Sequence, residues 1–345
     1  MKHFVCYMVT LFVIVFGSIA LVNYTFDPAH VYGSKKCIDS IIEGIRKGYN
    51  VEGITNLDER LYKLRYAELH KGKAFDYLAL GSSRILTVSE DILHGASIMN
   101  LAISSCQIEE IIAFYQICKD YNIHVSNVLI AADPSLFNGH NIDGKWESKS
   151  LGYYYDEYMG NSTTEQGTNM DLVWNLFSVP YFKVALLSGM TPKDTLTYVK
   201  TAKNKGATYR TDGSYYWSKS VREAPQSVID EKAKTAHFDL YNDFNDVSEE
   251  RITLFKRLME GFKADSVCVY LVRSPFHPIF YNKLLKTKGA IAAFNYIDIY
   301  AKKNHIPLIG SFNPADEGLD SSDFYDGPHV RKEYLDKIVE RELFH

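Results

Sequence analysis

Two short stretches carry residue types suited to nucleophilic chemistry. Gly81-Ser82-Ser83-Arg84 ends an apolar run, and Asp326-Gly327-Pro328-His329 lies close to the C-terminus. A serine hydroxyl is a weak nucleophile until a base takes its proton, and the base needs a third group to fix its ring. The Gly-Pro pair predicts a turn, which brings side chains three apart to the same side. Asp326 would then hold one ring nitrogen of His329 while the other points at a serine. Singly, each signal has an ordinary structural role, as a tight turn or a helix cap. Together they point to a serine activated as a nucleophile, with Ser82 and Ser83 equal candidates on residue type alone.

The elements that must position these residues follow from hydrophobic patterning. Apolar runs recur at residues 76–81, 97–102, 127–132, 266–272 and 306–310, each ending in small or polar residues. Runs apolar on both faces suit parallel strands covered by helices on both sides. Helical patterns over residues 108–121, 247–263, 283–304 and 330–343 alternate with them. The predicted fold is therefore α/β, a doubly wound, mostly parallel sheet in three layers. Ligands bind such a sheet beyond the carboxyl ends of its strands. That selects Ser83 and Arg84, Ser105 and Cys106, Asp133, then Arg273 and His277, and finally Asn313, Asp326 and His329. His277 is either a substrate contact or a loop histidine packed by Pro275 and Pro278. Arg273 is either an anion partner or a surface charge. The acidic loop of Asp316, Glu317, Asp320 and Asp323 fits no EF-hand spacing and reads as a solvated loop. No metal constellation and no phosphate-binding glycine loop is present, so no cofactor is expected.

The alternation stops over residues 138–247, which are Tyr-rich and polar, with YYYDEY at 153–158 and TDGSYYW at 211–217. A stretch this long is an insertion or cap rather than a bare connection. Its tyrosines either stack on sugar rings or form the cap's own small core.

Residues 4–22 are 19 residues without a charge. As a helix they span about 28 Å, close to the roughly 30 Å hydrocarbon core. Lys2 precedes the run and no Lys or Arg follows until Lys35, which favours a cytoplasmic N-terminus and an extracytoplasmic remainder. A cleaved signal peptide has a shorter apolar region and a better site than Ser18-Ile19-Ala20, so the run reads as an uncleaved signal anchor. The expected organisation is an anchor at 1–23, a juxtamembrane lead at 24–70 with an amphipathic helix over 58–70, and a domain at 71–345 carrying the insertion.

Apolar residues make up 46% and charged residues 23%, a globular balance that excludes disorder, collagen and a polytopic membrane protein. A net charge of −4 leaves no nucleic-acid footprint. Cys6 lies in the apolar run, and Cys37, Cys106, Cys118 and Cys268 form no CxxC or zinc pattern, so they read as buried free thiols. Sequons at Asn23 and Asn161 are chance-level matches.

The serine block and the closing Asp-x-x-His block resemble the SGNH (GDSL-like) hydrolase superfamily. More narrowly they resemble its membrane-anchored branch, which includes the teichoic-acid D-alanine transfer protein and the alginate O-acetylation proteins. The resemblance covers residues 76–344 outside the insertion; residues 24–32 (YTFDPAHVY) and 274–281 (SPFHPIFY) are also similar to that branch. It implies Ser83 as nucleophile, His329 as base and Asp326 as its orienter. The second block appears as Asn100-Leu101-Ala102-Ile103-Ser104-Ser105, with Ser105 in place of glycine, and the third block's asparagine falls at Asp133. In the superfamily the oxyanion is held by the nucleophile's N–H, the glycine N–H and the asparagine amide. Ser105 keeps its backbone N–H. An ionised Asp133 would repel an oxyanion, so either Arg84 substitutes or Asp133 turns away; capping the turn at Pro134 is the expected role.

The resemblance implies a membrane-anchored, extracytoplasmic serine esterase or O-acyltransferase. Its substrate would be an envelope or exported polysaccharide, modified through an acyl-Ser83 intermediate beside a polytopic acyl-exporting membrane partner. The Ser105 and Asp133 departures motivate an alternative, a catalytically inactive SGNH-shaped glycan-binding or assembly subunit. In a third reading, a structural anchored protein, Ser83 and His329 would lie far apart.

Overall fold

The computed structural model describes residues 2–26, 34–53, 57–140, 151–162, 176–188, 196–201, 206–236 and 239–344. Its strands are β1 (Asn50–Glu52), β2 (Ala74–Leu80), β3 (Ile98–Asn100), β4 (His124–Ala131), β5 (Thr197–Val199), β6 (Thr208–Tyr209), β7 (Tyr215–Tyr216), β8 (Cys268–Val272) and β9 (Leu308–Ile309). All five apolar runs of the sequence become strands of one sheet, paired in parallel in the order β3-β2-β4-β8-β9.

Alternate strand residues face two separate cores. Leu78, Leu80, Val128, Ile130 and Leu271 pack with the helices Ile108–Asp120, Glu249–Ala264 and Lys288–Asn304. Ala79, Leu129, Ala131, Val272 and Ile309 pack with Ile85, Leu86 and Val88, and with Leu335, Ile338 and Val339 of the helix Lys332–Phe344. Burial on both faces is why these strands carry continuous apolar runs instead of alternation. The chain steps from β2 to β3 on one side and then to β4 on the other. The loops after β2 and β4 therefore diverge and leave a crevice at the carboxyl ends of the strands.

The lead and the insertion are not separate from this body. Strand β1, from the lead, lies between β5 and β6 of the insertion in an antiparallel sheet ordered β5-β1-β6-β7. The amphipathic helix forms as Glu59–Leu69, capped by the Asp58 carboxylate on the Leu61 N–H at 3.2 Å, and it sinks Tyr62 and Tyr66 into the main core. Gly213 closes the turn between β6 and β7 at φ +82°, where a Cβ would meet the Asn100 carbonyl oxygen at 2.5 Å. Lys63 ties that turn to β3, donating to the Asn100 and Gly213 carbonyls at 2.8 and 2.6 Å. Burial pushes its ammonium down to about 7 despite the nearby Glu59 and Asp212.

In the YYYDEY segment Tyr154, Tyr155 and Tyr158 pack against the main core, and Tyr153 is exposed. The segment lies in the helix Leu151–Met159, laid on the helix Ile108–Asp120, with the Tyr154 hydroxyl 3.1 Å from that of Tyr121 and the Tyr158 hydroxyl donating to the Arg257 carbonyl. The helical pattern over 283–304 is interrupted, because Pro278–Leu284 and Lys288–Asn304 are two helices. Near the N-terminus one helix, Lys2–Phe26, is long and apolar enough to cross a membrane, with a mean hydropathy of 2.6 over its most apolar window. Of the five cysteines only Cys106 and Cys118 are buried; Cys37 is half-buried, and Cys6 and Cys268 are exposed. Residues 27–32 of the YTFDPAHVY stretch and Thr163 of the Asn161 sequon lie outside the described residues.

Candidate active site

The end of β2 is built around Gly81. Its φ is +126°, and a Cβ there would meet the Ala131 Cβ at 2.6 Å, so only glycine lets the chain turn this close to β4. The turn delivers Ser82 and Ser83 to the crevice. The two serines separate at once: Ser82 Oγ accepts the Arg84 N–H at 3.2 Å, whereas Ser83 Oγ lies 2.8 Å from His329 Nε2.

His329 reaches Ser83 from a tight turn before the last helix. Phe324 and Val330 bridge its base, the Tyr325 N–H donates to the His329 carbonyl at 2.8 Å, and the Gly327 carbonyl accepts the His277 N–H at 2.9 Å. Within the turn Asp326 Oδ1 accepts the His329 main-chain N–H at 3.0 Å. The same carboxylate faces His329 Nδ1, at 2.8 Å from Oδ1 and 3.0 Å from Oδ2. Burial works to raise the Asp326 pKa, but the charge and hydrogen bonds of His329, with Lys232 beyond, outweigh it and hold the carboxyl below its usual range. An ionised Asp326 accepts a proton on Nδ1, which leaves the Nε2 lone pair for the Ser83 hydroxyl.

Asn100 shapes the rest of the turn. Its amide donates to the carbonyls of Ile85, Leu86 and Val88 at 3.0, 3.3 and 2.9 Å, and its Oδ1 accepts the Ala102 N–H at 2.9 Å. Five residues on, Ser105 sits at φ +53°, a left-handed conformation that favours glycine. The Glu59 carboxylate fixes the loop just before it, accepting both the main-chain N–H and the hydroxyl of Ser104. Among the described residues neither Ser83 nor Ser105 donates its main-chain N–H to any acceptor. Two unspent N–H groups therefore belong to the walls of the same cavity, which has a volume of about 680 Å³.

Asp133 does not cap the turn at Pro134, although it occupies the N-cap position of the short helix Pro134–Phe137. Its carboxylate instead pairs with Arg84 at 2.6 Å, both side chains being 5% exposed. The Arg84 guanidinium also lies 3.5 Å above the Phe276 ring. Pairing beats capping because a buried guanidinium without a counter-ion is the costlier alternative. Arg84 is thus held by Asp133 through Nη1, while its buried Nε and Nη2 carry no hydrogen bond among the described residues, and the side chain lines the same cavity.

His277 and Arg273 fall away from the cavity. His277 is fully buried, its Nδ1 accepts the Ile279 N–H at 3.2 Å to start the next helix, and its Nε2 lies 3.4 Å from Asp230. Burial lowers its pKa against the pull of Asp230. His277 is bonded to the turn that carries His329 and is not among the residues lining the cavity. Arg273 pairs with Asp298 at 2.7 Å. In the acidic loop, Asp320 and Asp323 cap a short turn, and Glu317 pairs with Arg341 at 2.9 Å.

Sequence reasoning missed the walls contributed by residues 138–247. Trp217, just past β7, packs against the His329 ring with centroids 5.4 Å apart. Lys232, Tyr241 and, from the helix Pro278–Leu284, Phe280 line the cavity. The TDGSYYW turn was the available signal for Trp217; nothing in the local pattern marks Lys232. No protein-family model, no curated protein and no solved structure matches the chain.

Proposed function

We propose that this chain is a membrane-anchored serine esterase or O-acyltransferase with a doubly wound, SGNH-like fold. The observation that carries the reading is the contact of Ser83 Oγ with His329 Nε2 at 2.8 Å, with Asp326 on the opposite ring nitrogen. The strand order β3-β2-β4-β8-β9 supports it, since its reversal point is where such sheets bind ligands.

In the proposed reaction Ser83 Oγ attacks an ester carbonyl while His329 Nε2 takes the hydroxyl proton. The tetrahedral oxyanion is met by the N–H groups of Ser83 and Ser105. Its collapse breaks the ester bond, the alcohol leaves with the proton from His329, and the acyl group remains on Ser83. A sugar hydroxyl or water then gives its proton to His329, attacks the acyl carbonyl, and regenerates Ser83. This chemistry calls on no cofactor. An envelope or exported polysaccharide as acceptor, an extracytoplasmic domain and a polytopic acyl-exporting partner complete the proposal. They rest on the resemblance of the two sequence blocks and on the charge asymmetry about residues 4–22.

The test is turnover of 4-nitrophenyl acetate by the full-length protein in detergent, with intact mass read during the reaction. An acetyl adduct confined to Ser83, and turnover abolished in Ser83→Ala, are expected. Absence of both adduct and turnover would favour the inactive glycan-binding subunit instead. Adding a soluble oligosaccharide separates transfer from hydrolysis by the appearance of its acetylated form.

A further inference from the structure

The helix Val179–Ser188 leaves Val179, Val184, Leu186 and Leu187 exposed, and Phe177 just before it is exposed as well. Lys183 is the one charged residue in the helix. An apolar patch of this kind marks a surface that another phase or partner covers.

What covers it is indicated by its neighbour. The helix lies against the C-terminal part of the N-terminal helix Lys2–Phe26. The Phe177 and Phe16 rings are 6.4 Å apart, and Asn23 Nδ2 donates to the carbonyls of Leu176 and Ser178 at 2.8 and 3.1 Å. On the N-terminal helix the covered residues are Phe16, Ile19, Ala20, Val22 and Asn23, four of which form a stripe at i, i+3, i+4 and i+7. Phe16 lies six residues before Val22, the last of the uncharged run. At 1.5 Å per residue that is about 9 Å inside the apolar span. An element in contact with Phe16 shares its depth.

We infer that the helix Val179–Ser188 is immersed in one leaflet of the lipid bilayer, alongside the anchor. Its 10 residues reach about 15 Å, too short to cross, so the chain enters and leaves on the same side. A helix satisfies its own backbone and can sit in lipid, and a single lysine can extend its ammonium to the headgroups. Asn23, whose amide is costly in hydrocarbon, has its donors engaged by the same segment. Two membrane contacts rather than one then hold the Ser83 crevice at a fixed orientation to the bilayer. The inference rests on the reading that residues 4–22 span the membrane, and the test separates the two.

Full-length protein carrying Cys6→Ser, Cys37→Ser and Cys268→Ser retains only the buried Cys106 and Cys118. An NBD fluorophore is placed at Val184→Cys, at Leu187→Cys, at a restored Cys6 as anchor reference, and at Lys303→Cys as water reference. Each variant is reconstituted in phosphatidylcholine–phosphatidylglycerol vesicles, with and without acyl-chain bromine. Reporters at positions 184, 187 and 6 should be blue-shifted and lose most of their emission to brominated lipid, while the one at 303 responds only to aqueous iodide. Iodide quenching at 184 and 187 with lipid quenching retained at position 6 would overturn the inference and leave the anchor standing. Loss of lipid quenching at position 6 as well would overturn both.

Discussion

Arg84 and Asp133 hold each other at 2.6 Å across the carboxyl ends of β2 and β4, one residue beyond Ser83. The pair gives the buried Asp133 carboxylate a counter-ion at the position where the proposed SGNH-like reading would place an amide. Its charge is spent on a guanidinium that also stacks on Phe276. Introducing an amide there alone should therefore harm the protein. Asp133→Asn leaves a buried guanidinium uncompensated and should cost about 3–5 kcal/mol, whereas Arg84→Met with Asp133→Asn should recover most of that loss. Urea unfolding in mild detergent checks both, and an Asp133→Asn protein as stable as the parent would contradict the role given to the pair.

Asp326 fixes the His329 tautomer through contacts of 2.8 and 3.0 Å to Nδ1. Asp326→Asn preserves size and main-chain bonding but can donate to Nδ1, which places the proton on Nε2 where Ser83 needs an acceptor. The rate of acyl transfer should fall by about 10⁴, the effect of this exchange in serine triads. Stopped-time turnover of 4-nitrophenyl acetate measures it, with a circular dichroism spectrum to establish that the fold is kept.

Ser105 contributes a backbone N–H, not a hydroxyl. Ser105→Gly keeps the N–H and relieves a left-handed φ of +53°, so stability should rise by about 0.5–1 kcal/mol with turnover retained. Ser105→Ala should also retain turnover. A loss of activity in both would assign the hydroxyl a role that the geometry does not.

Asp336 provides the pH signature of the last helix. Burial raises its carboxyl to about 6, against the opposing Lys332 ammonium at 2.6 Å. A raised carboxyl in the folded state stabilises most below its ordinary value of 3.8, and that contribution is lost as pH rises through 6. Relative to Asp336→Asn, the parent should lose up to about 3 kcal/mol between pH 4 and 7. Unfolding midpoints of the two proteins over that range test the sign, and a difference independent of pH would rule it out.

The main sheet and the approach of a serine at the end of β2 to His329 and Asp326 were legible from strong local signals, whereas the choice of Ser83 over Ser82 came only from the family resemblance. Strands buried on both faces write long apolar runs, and Gly81 and Gly327-Pro328 mark the turns that carry the reactive side chains. The second sheet was not legible. Strands β1, β6 and β7 are three, two and two residues long, too short to express a period, and β1 pairs with residues some 150 positions away. The pairing of Arg84 with Asp133 is likewise a contact between two strand ends, which neither residue's neighbours announce. For His277 the sequence left open a substrate contact or a packed loop histidine; in the structure its Nδ1 and main-chain N–H secure Ile279 and Gly327.

The central claim is that His329 and Asp326 activate Ser83. Intact mass of the full-length protein after exposure to a fluorophosphonate probe tests it most directly, with Ser82→Ala, Ser83→Ala and His329→Ala in parallel. One adduct on the parent and on Ser82→Ala, none on Ser83→Ala, and strongly slowed labelling of His329→Ala are predicted. An adduct that persists in Ser83→Ala, or no adduct on the parent at all, would contradict the account.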